Sequence, residues 1–253
     1  DDLQEMMEEK GIEMISKEGY RGADWILLDY GHFVVNIFSN SGQICIAGSR
    51  ILVQRGIAEA FIEAFVARTR ALRVGDPLDP RTEVGPMAFE AHYRRVLEHI
   101  ERANSEGAQL LCGGEARLDL GEGYFIAPTV FQVTHNQLSL CQEEVFGPVV
   151  SIQVFDNDDD ALEVANDSRF GLVGYCWTSS LARAQAFQQR VEAGTLWINT
   201  PLARDLRAPF GGFKESGIGR DGPRQAAEFF TEEKATIQAV GEPPIRKLGQ
   251  PKD

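Results

Sequence analysis

From Ser39 onward, apolar runs of strand length alternate with amphipathic runs of helix length, and this alternation confines the chain to an α/β fold. Residues 50–54 read as the first strand. Residues 57–72 follow as a helix, with Phe61, Ile62, Phe65, Val66 and Leu72 at the spacing of one buried face. Residues 89–106 read as a second helix, closed by Gly107. Strands are expected at 110–112 and 125–131, and a buried one at 149–155. The acidic first turn of 158–166 suits the positive end of a helix dipole. Beyond it the pattern gives a strand at 173–178, a helix at 181–190, a strand at 195–198, a helix at 226–230 and a last strand at 236–240. Residues 241–253, with three prolines, read as a loose tail.

Residues 1–38 are built differently. They hold nine acidic and three basic residues, and three of the four methionines. Residues 2–10 read as the end of an acidic helix stopped by Gly11. Residues 12–15 are a short strand candidate. Two further strands, 25–28 and 33–38, flank Asp29-Tyr30-Gly31-His32, a hairpin signal. The expected division is a small truncated α+β segment over 1–38, a larger α/β domain over 39–240 and the tail over 241–253. The chain opens on Asp1 without a methionine, which reads as a trimmed or fragmentary sequence.

The whole chain of 253 residues carries a formal charge of -13, which argues against nucleic-acid binding and against docking to an anionic membrane. No apolar run approaches the length of a membrane span. The four cysteines, Cys45, Cys112, Cys141 and Cys176, form no C-x-x-C pair, so reduced thiols in a cytoplasmic protein are expected. His92 and His99 sit seven apart on one helix, far in sequence from His32 and His135, and no metal site is expected. Gly217-Ile218-Gly219-Arg220-Asp221-Gly222 fits G-x-G-x-x-G. It follows no clear strand and Pro223 comes next, so the dinucleotide-binding context is missing.

Chemistry concentrates at Cys45, within Ser39-Asn40-Ser41-Gly42-Gln43-Ile44-Cys45-Ile46-Ala47-Gly48-Ser49-Arg50. A cysteine just after a glycine turn can have its thiolate held by backbone N–H donors, which also suit an oxyanion. That context makes Cys45 the expected fast-reacting thiol. Three more segments follow in order: Gln142-Glu143-Glu144-Val145-Phe146-Gly147-Pro148; Asn166-Asp167-Ser168-Arg169-Phe170-Gly171-Leu172; and Trp197-Ile198-Asn199 with Pro209-Phe210-Gly211-Gly212-Phe213-Lys214-Glu215-Ser216-Gly217-Ile218-Gly219-Arg220. Together the four segments resemble the aldehyde dehydrogenase family over residues 38–240. The resemblance implies that family's catalytic domain, with a largely parallel open sheet flanked by helices.

By that resemblance Cys45 is the nucleophile, attacking an aldehyde to give a thiohemiacetal and then a thioester, with NAD or NADP taking the hydride. Glu144 would hold the ribose next to the nicotinamide, since a carboxylate accepts from two neighbouring hydroxyls. Phe146 would lie beside the ring. Glu143 reads as a surface charge or a partner for an arginine, and Arg95 as a solvated helix residue near the family's cofactor site. Ile44, Ile46 and Phe210 would line the aldehyde tunnel. Arg204 and Arg207 resemble the members that oxidise muconate-type semialdehydes, where an arginine fork would take a carboxylate. Surface pairing with nearby acids is the competing reading. A homo-oligomer joined through residues 236–240 is also implied.

The family's general base lies in a Glu-Leu-Gly-Gly-like segment before the cysteine, and nothing in residues 1–44 resembles it. The dinucleotide-binding domain of the family also precedes the cysteine. The expectation is therefore a chain lacking both and inactive by itself. Residues 1–38 instead resemble the C-terminal half of the ribosomal silencing factor (Iojap) family, in Gly19-Tyr20 and Trp25-Ile26-Leu27-Leu28-Asp29-Tyr30-Gly31. This implies contact with a ribosomal protein through residues 20–38, anchored by Trp25 and Tyr30. The alternative function is a non-catalytic ribosome-associated binding protein acting through that hairpin.

Overall fold

The computed structural model describes residues 42–200, 203 and 205–241, with the backbone of Ser16–Glu18 and Leu27–Asp29. These last two are β1 and β2. The chain continues through β3 (Arg50–Gln54), a 3-10 turn (Arg55–Ile57), α1 (Ala58–Ala71), α2 (Glu90–Ser105), β4 (Gln109–Cys112), a second 3-10 turn (Leu118–Leu120), β5 (Thr129–Val133), α3 (Ser139–Gln142) and β6 (Val149–Phe155). It ends in α4 (Asp158–Asn166), β7 (Phe170–Gly171), β8 (Val173–Cys176), α5 (Leu181–Arg190), β9 (Thr195–Ile198), β10 (Phe213–Lys214) and α6 (Pro223–Phe230).

The main sheet has the order β3-β6-β5-β4, parallel across its first three strands and antiparallel at β4. Because successive strand residues point to opposite faces, β5 sends Val130 to one side and Phe131 to the other. Val130 packs with Val53, Val150 and Ile152 against Phe61 and Phe65 of α1. Phe131 packs with Val149 against Val96, Ile100 and Ala103 of α2. Both β5 residues are fully buried, so the sheet is closed by a helix on each face.

This is the expected largely parallel open sheet, and the remaining strands stand apart from it. β8 and β9 run parallel as a separate pair, and β7 pairs antiparallel with β10. The expected strand over 125–131 begins instead at Thr129, directly after Pro128, which has no N–H for the ladder. Around α4 the reading holds to the residue: the Asn157 side chain caps Asp160 N–H at 3.0 Å, and three aspartates fill the first turn. The helix expected at 226–230 begins earlier, with Pro223 in its first turn.

One expectation is corrected. Residues 236–240 form no strand; they are exposed and irregular, because a strand needs a partner edge and the chain supplies none there. Leu27–Asp29 pairs antiparallel with Ser16–Glu18, whereas the strand expected to pair with it, 33–38, lies outside the described residues. Residues 2–15, Trp25, Tyr30 and the tail from 242 also lie outside them. Among the described residues no helix is long and apolar enough to cross a membrane.

Candidate active site

The cysteine segment enters the site through Gly42. Its φ of +72° lies in the left-handed region, and a Cβ there would stand 2.3 Å from the Gly147 carbonyl oxygen. Glycine is therefore required twice over, by conformation and by contact. The Gln43 side chain accepts from Ala88 N–H at 3.0 Å, and Ala47 N–H donates to the Ile44 carbonyl at 2.9 Å. The second bond closes a four-residue turn with Cys45 just after its first residue, exposed at the tip. The Cys45 N–H has no acceptor among the described residues, which leaves a donor free for an oxyanion. Arg50 then starts β3. Its part-buried guanidinium donates to Asn136 Oδ1 at 2.8 Å and to the Val164 carbonyl, tying the turn's exit to the C-terminal end of α4.

The second segment, 143–147, is held by one face of α2. His92, Arg95, Val96, His99 and Arg102 recur at helical spacing on that face. Arg102 pairs with the Glu143 carboxylate, holding it below the usual carboxylate range, and also reaches His99 Nδ1 at 2.9 Å. Burial, reinforced by Arg102, pulls the His99 imidazole pKa down. Arg95 donates to the Glu144 carbonyl at 3.4 Å. His92 Nε2 donates to the Phe146 carbonyl at 2.7 Å. Phe146 has φ 55°, an unusual conformation for a non-glycine residue, and the His92 bond helps to fix it. Gly147 sits so close to Val96 that a Cβ would meet its methyls at 2.9 Å.

The two segments touch at Gly42 and Gly147, and this contact brings Ile44, Cys45, Glu144 and Phe146 to one cavity of about 590 Å³. Residues 49–52 and 173–178 line it further. The Glu144 carboxylate is exposed there with no hydrogen-bond or ion-pair partner among the described residues, so its oxygens can accept from a bound molecule. Glu143, by contrast, is spent on Arg102.

Not every expected site residue joins this cavity. Ile46 and Phe210 are half-buried outside its lining, Ile46 offering its carbonyl to Tyr175 and Phe210 exchanging backbone bonds with Asp221. Arg207 is exposed and forks onto Asp205, with Nε–Oδ1 2.9 Å and Nη2–Oδ2 2.7 Å. It lies outside the lining, in the surface pairing that competed with carboxylate recognition. Arg204 lies outside the described residues. Arg95 is exposed on its helix, as expected, and also reaches the Glu144 backbone. Sequence reasoning also missed His92 and Tyr175. The seven-residue interval from His92 to His99 was the available signal for the first, because it puts both on one helix face; Tyr175 gave none.

Cys45 is the exposed thiol of the four. Burial pushes the Cys112 and Cys141 thiols up, and Cys176 up to about 11. A raised pKa leaves less thiolate at neutral pH, and the thiolate is the nucleophile. Brief iodoacetamide treatment at neutral pH should label Cys45 first. Cys176 should follow only as the pH approaches its own pKa. Peptide mapping reads this out, and earlier labelling of Cys112, Cys141 or Cys176 would contradict the arrangement.

The sequence profile described as the aldehyde dehydrogenase family matches residues 30–236. A second profile, the ribosomal silencing factor during starvation, matches residues 1–42. Among curated relatives, a betaine aldehyde dehydrogenase of Cereibacter sphaeroides is 41% identical over 211 residues, covering 83% of this chain and 43% of the relative. The solved structure of HpcC from Thermus thermophilus superposes with a TM-score of 0.76 at 40% identity, covering 81% of this chain and 42% of that one. Betaine aldehyde dehydrogenase from Staphylococcus aureus in complex with NAD+ gives 0.72 at 38% identity, covering 75% and 38%. The chain thus spans less than half the length of the relatives it matches.

Proposed function

The chain belongs to the aldehyde dehydrogenase family, and we propose that it forms the catalytic part of an NAD-dependent enzyme that oxidises an aldehyde to a carboxylic acid through Cys45. The observation that carries this reading is the single cavity shared by Cys45, Glu144 and Phe146, joined through the Gly42–Gly147 contact. The Cys45 thiolate attacks the carbonyl carbon, and the free Cys45 N–H donates to the oxyanion that forms. A nicotinamide cofactor, when bound, would supply the hydride acceptor. Glu144 would hold its ribose and Phe146 would flank its ring, while α2, through His92, Arg95 and Arg102, keeps both in place. Water then cleaves the thioester at Cys45 to release the acid.

Two relations support NAD as the cofactor: the family itself, and the bound NAD+ of the Staphylococcus aureus relative. The substrate is proposed only as an aldehyde. Arg207, engaged by Asp205, gives no support to a carboxylate-bearing semialdehyde. The same reading takes residues 39–240 as the catalytic domain and 1–38 as a separate segment, in keeping with family matches that meet at 30–42. Ribosomal contact through residues 20–38 would rest on Trp25 and Tyr30, and the match of residues 1–42 to the silencing-factor family is its support.

Nothing in residues 1–44 resembles the family's base segment. A general base contributes about 10²–10⁴-fold, so the chain assayed by itself with an aldehyde and NAD should form NADH far more slowly than about 1 s⁻¹. Turnover at or above that rate would show that a base lies within this chain after all.

We also propose self-association. α6 leaves Phe229 and Phe230 about four-fifths exposed, and Ile237 and Val240 are fully exposed on the irregular segment behind it. Apolar surface and unpaired backbone groups of this kind favour a second copy of the chain. Light scattering should find a dimer or larger species, and deletion of residues 236–253 should shift it toward monomer. A monodisperse monomer for the intact chain would remove the idea.

A further inference from the structure

Tyr175 on β8 stands 129 residues from the cysteine turn, yet its hydroxyl donates to the Ile46 carbonyl at 2.8 Å. Its ring stacks on Trp197 at 5.0 Å between centroids and on Trp177 at 5.6 Å, each with an interplanar angle of 13°. Trp197 is fixed in turn, its Nε1 donating to the Ala203 carbonyl at 2.8 Å. A phenol locked in such a stack cannot swing to follow a moving loop, so the loop must come to it. The bond falls on the Ile46–Ala47 peptide, whose other end is also taken: Ala47 N–H donates to Ile44 across the turn. One peptide plane is therefore gripped on both edges, immediately after Cys45.

We propose that Tyr175 is a positioning residue for the nucleophile: by holding the Ile46 carbonyl it fixes the turn so that the Cys45 N–H stays aimed at the oxyanion formed at the Cys45 sulfur. The inference rests on the reading of Cys45 as the nucleophile. Tyr175 has one O–H proton and spends it on Ile46, so it acts through the turn rather than on the substrate. Burial and the neighbouring Cys45 both push the phenol's pKa up, which keeps that proton in place at every pH at which a thiolate chemistry runs. Tyr175 belongs to none of the four motif segments, and only the fold brings it to Ile46.

The test uses two reagents that differ in one respect. Acylation by p-nitrophenyl acetate passes through a tetrahedral oxyanion: the C–S bond forms, p-nitrophenolate leaves, and the acetyl group remains on sulfur. Alkylation by iodoacetamide displaces iodide and forms no oxyanion. Tyr175→Phe keeps the stacked ring and removes only the donor. Its Cys45 acylation rate should fall about tenfold, the scale of a misaligned oxyanion donor, while its alkylation rate changes less than about twofold. Equal loss in both reactions would overturn the proposal, since it would point to a general loosening of the thiol. Unchanged acylation would overturn it as well. If the unmodified chain alkylates at Cys45 but does not acylate there, the nucleophile reading falls, and the positioning role with it.

Discussion

Replacing Cys45 with alanine will take acyl transfer from a p-nitrophenyl ester down to the uncatalysed background, a loss that reaches about 10⁴-fold or more where a nucleophile is removed from a competent site. The substitution should leave the fold untouched. Cys45 is exposed at the tip of its turn, and truncating an exposed side chain changes stability by no more than about 0.5 kcal/mol. The two readouts therefore separate: the p-nitrophenolate burst disappears while the thermal melt stays where it was. The other three thiols cannot take over, because burial keeps each of them protonated at neutral pH. A variant that keeps a tenth or more of the burst would assign the chemistry to another residue.

Gly42→Ala is the complementary case, in which stability and activity fall together. At φ +72° any L-residue is strained, and the new methyl would stand 2.3 Å from Gly147 O and 2.5 Å from Gly147 C, both backbone atoms that cannot rotate away. Strain of this kind costs about 1–3 kcal/mol before the clash is added, so a destabilisation of about 3 kcal/mol or more is expected in denaturant unfolding. The relief open to the protein is to part the two segments. That moves Cys45 away from Phe146 and Glu144, and the acylation rate should drop even at temperatures where the variant remains folded. Unaltered unfolding and acylation in Gly42→Ala would show that the two segments do not meet as described.

The fold was legible wherever a local signal decided it. Asn157 followed by three aspartates marks the start of α4 whatever surrounds it, and the apolar runs of β6 and β9 were long enough to be read directly. Where the decision lay with a partner far along the chain, the reading failed. Residues 236–240 have strand-like composition but no edge to pair with, and the pairing of Leu27–Asp29 with Ser16–Glu18 had no local signal to announce it. At the site, Cys45, Glu144 and Phe146 announce themselves because their neighbours form recognisable segments. Arg207 was open to misreading as a free fork, since Asp205 two residues before it already fills the guanidinium. Tyr175 and His92 both act on backbone carbonyls, which carry no side-chain signature; the spacing of His92 and His99 put His92 on one helix face, and nothing in the sequence pointed to Tyr175.

The central claim is that one thiol, held beside the cofactor segment, carries the chemistry. Its most direct test is to quench the chain shortly after mixing with p-nitrophenyl acetate at neutral pH, digest it at low pH and map the acetyl group by mass. A single acetyl on the peptide containing Cys45, absent from Cys112, Cys141 and Cys176, is the predicted result. Acetylation spread over the other cysteines, or none on Cys45, would contradict it.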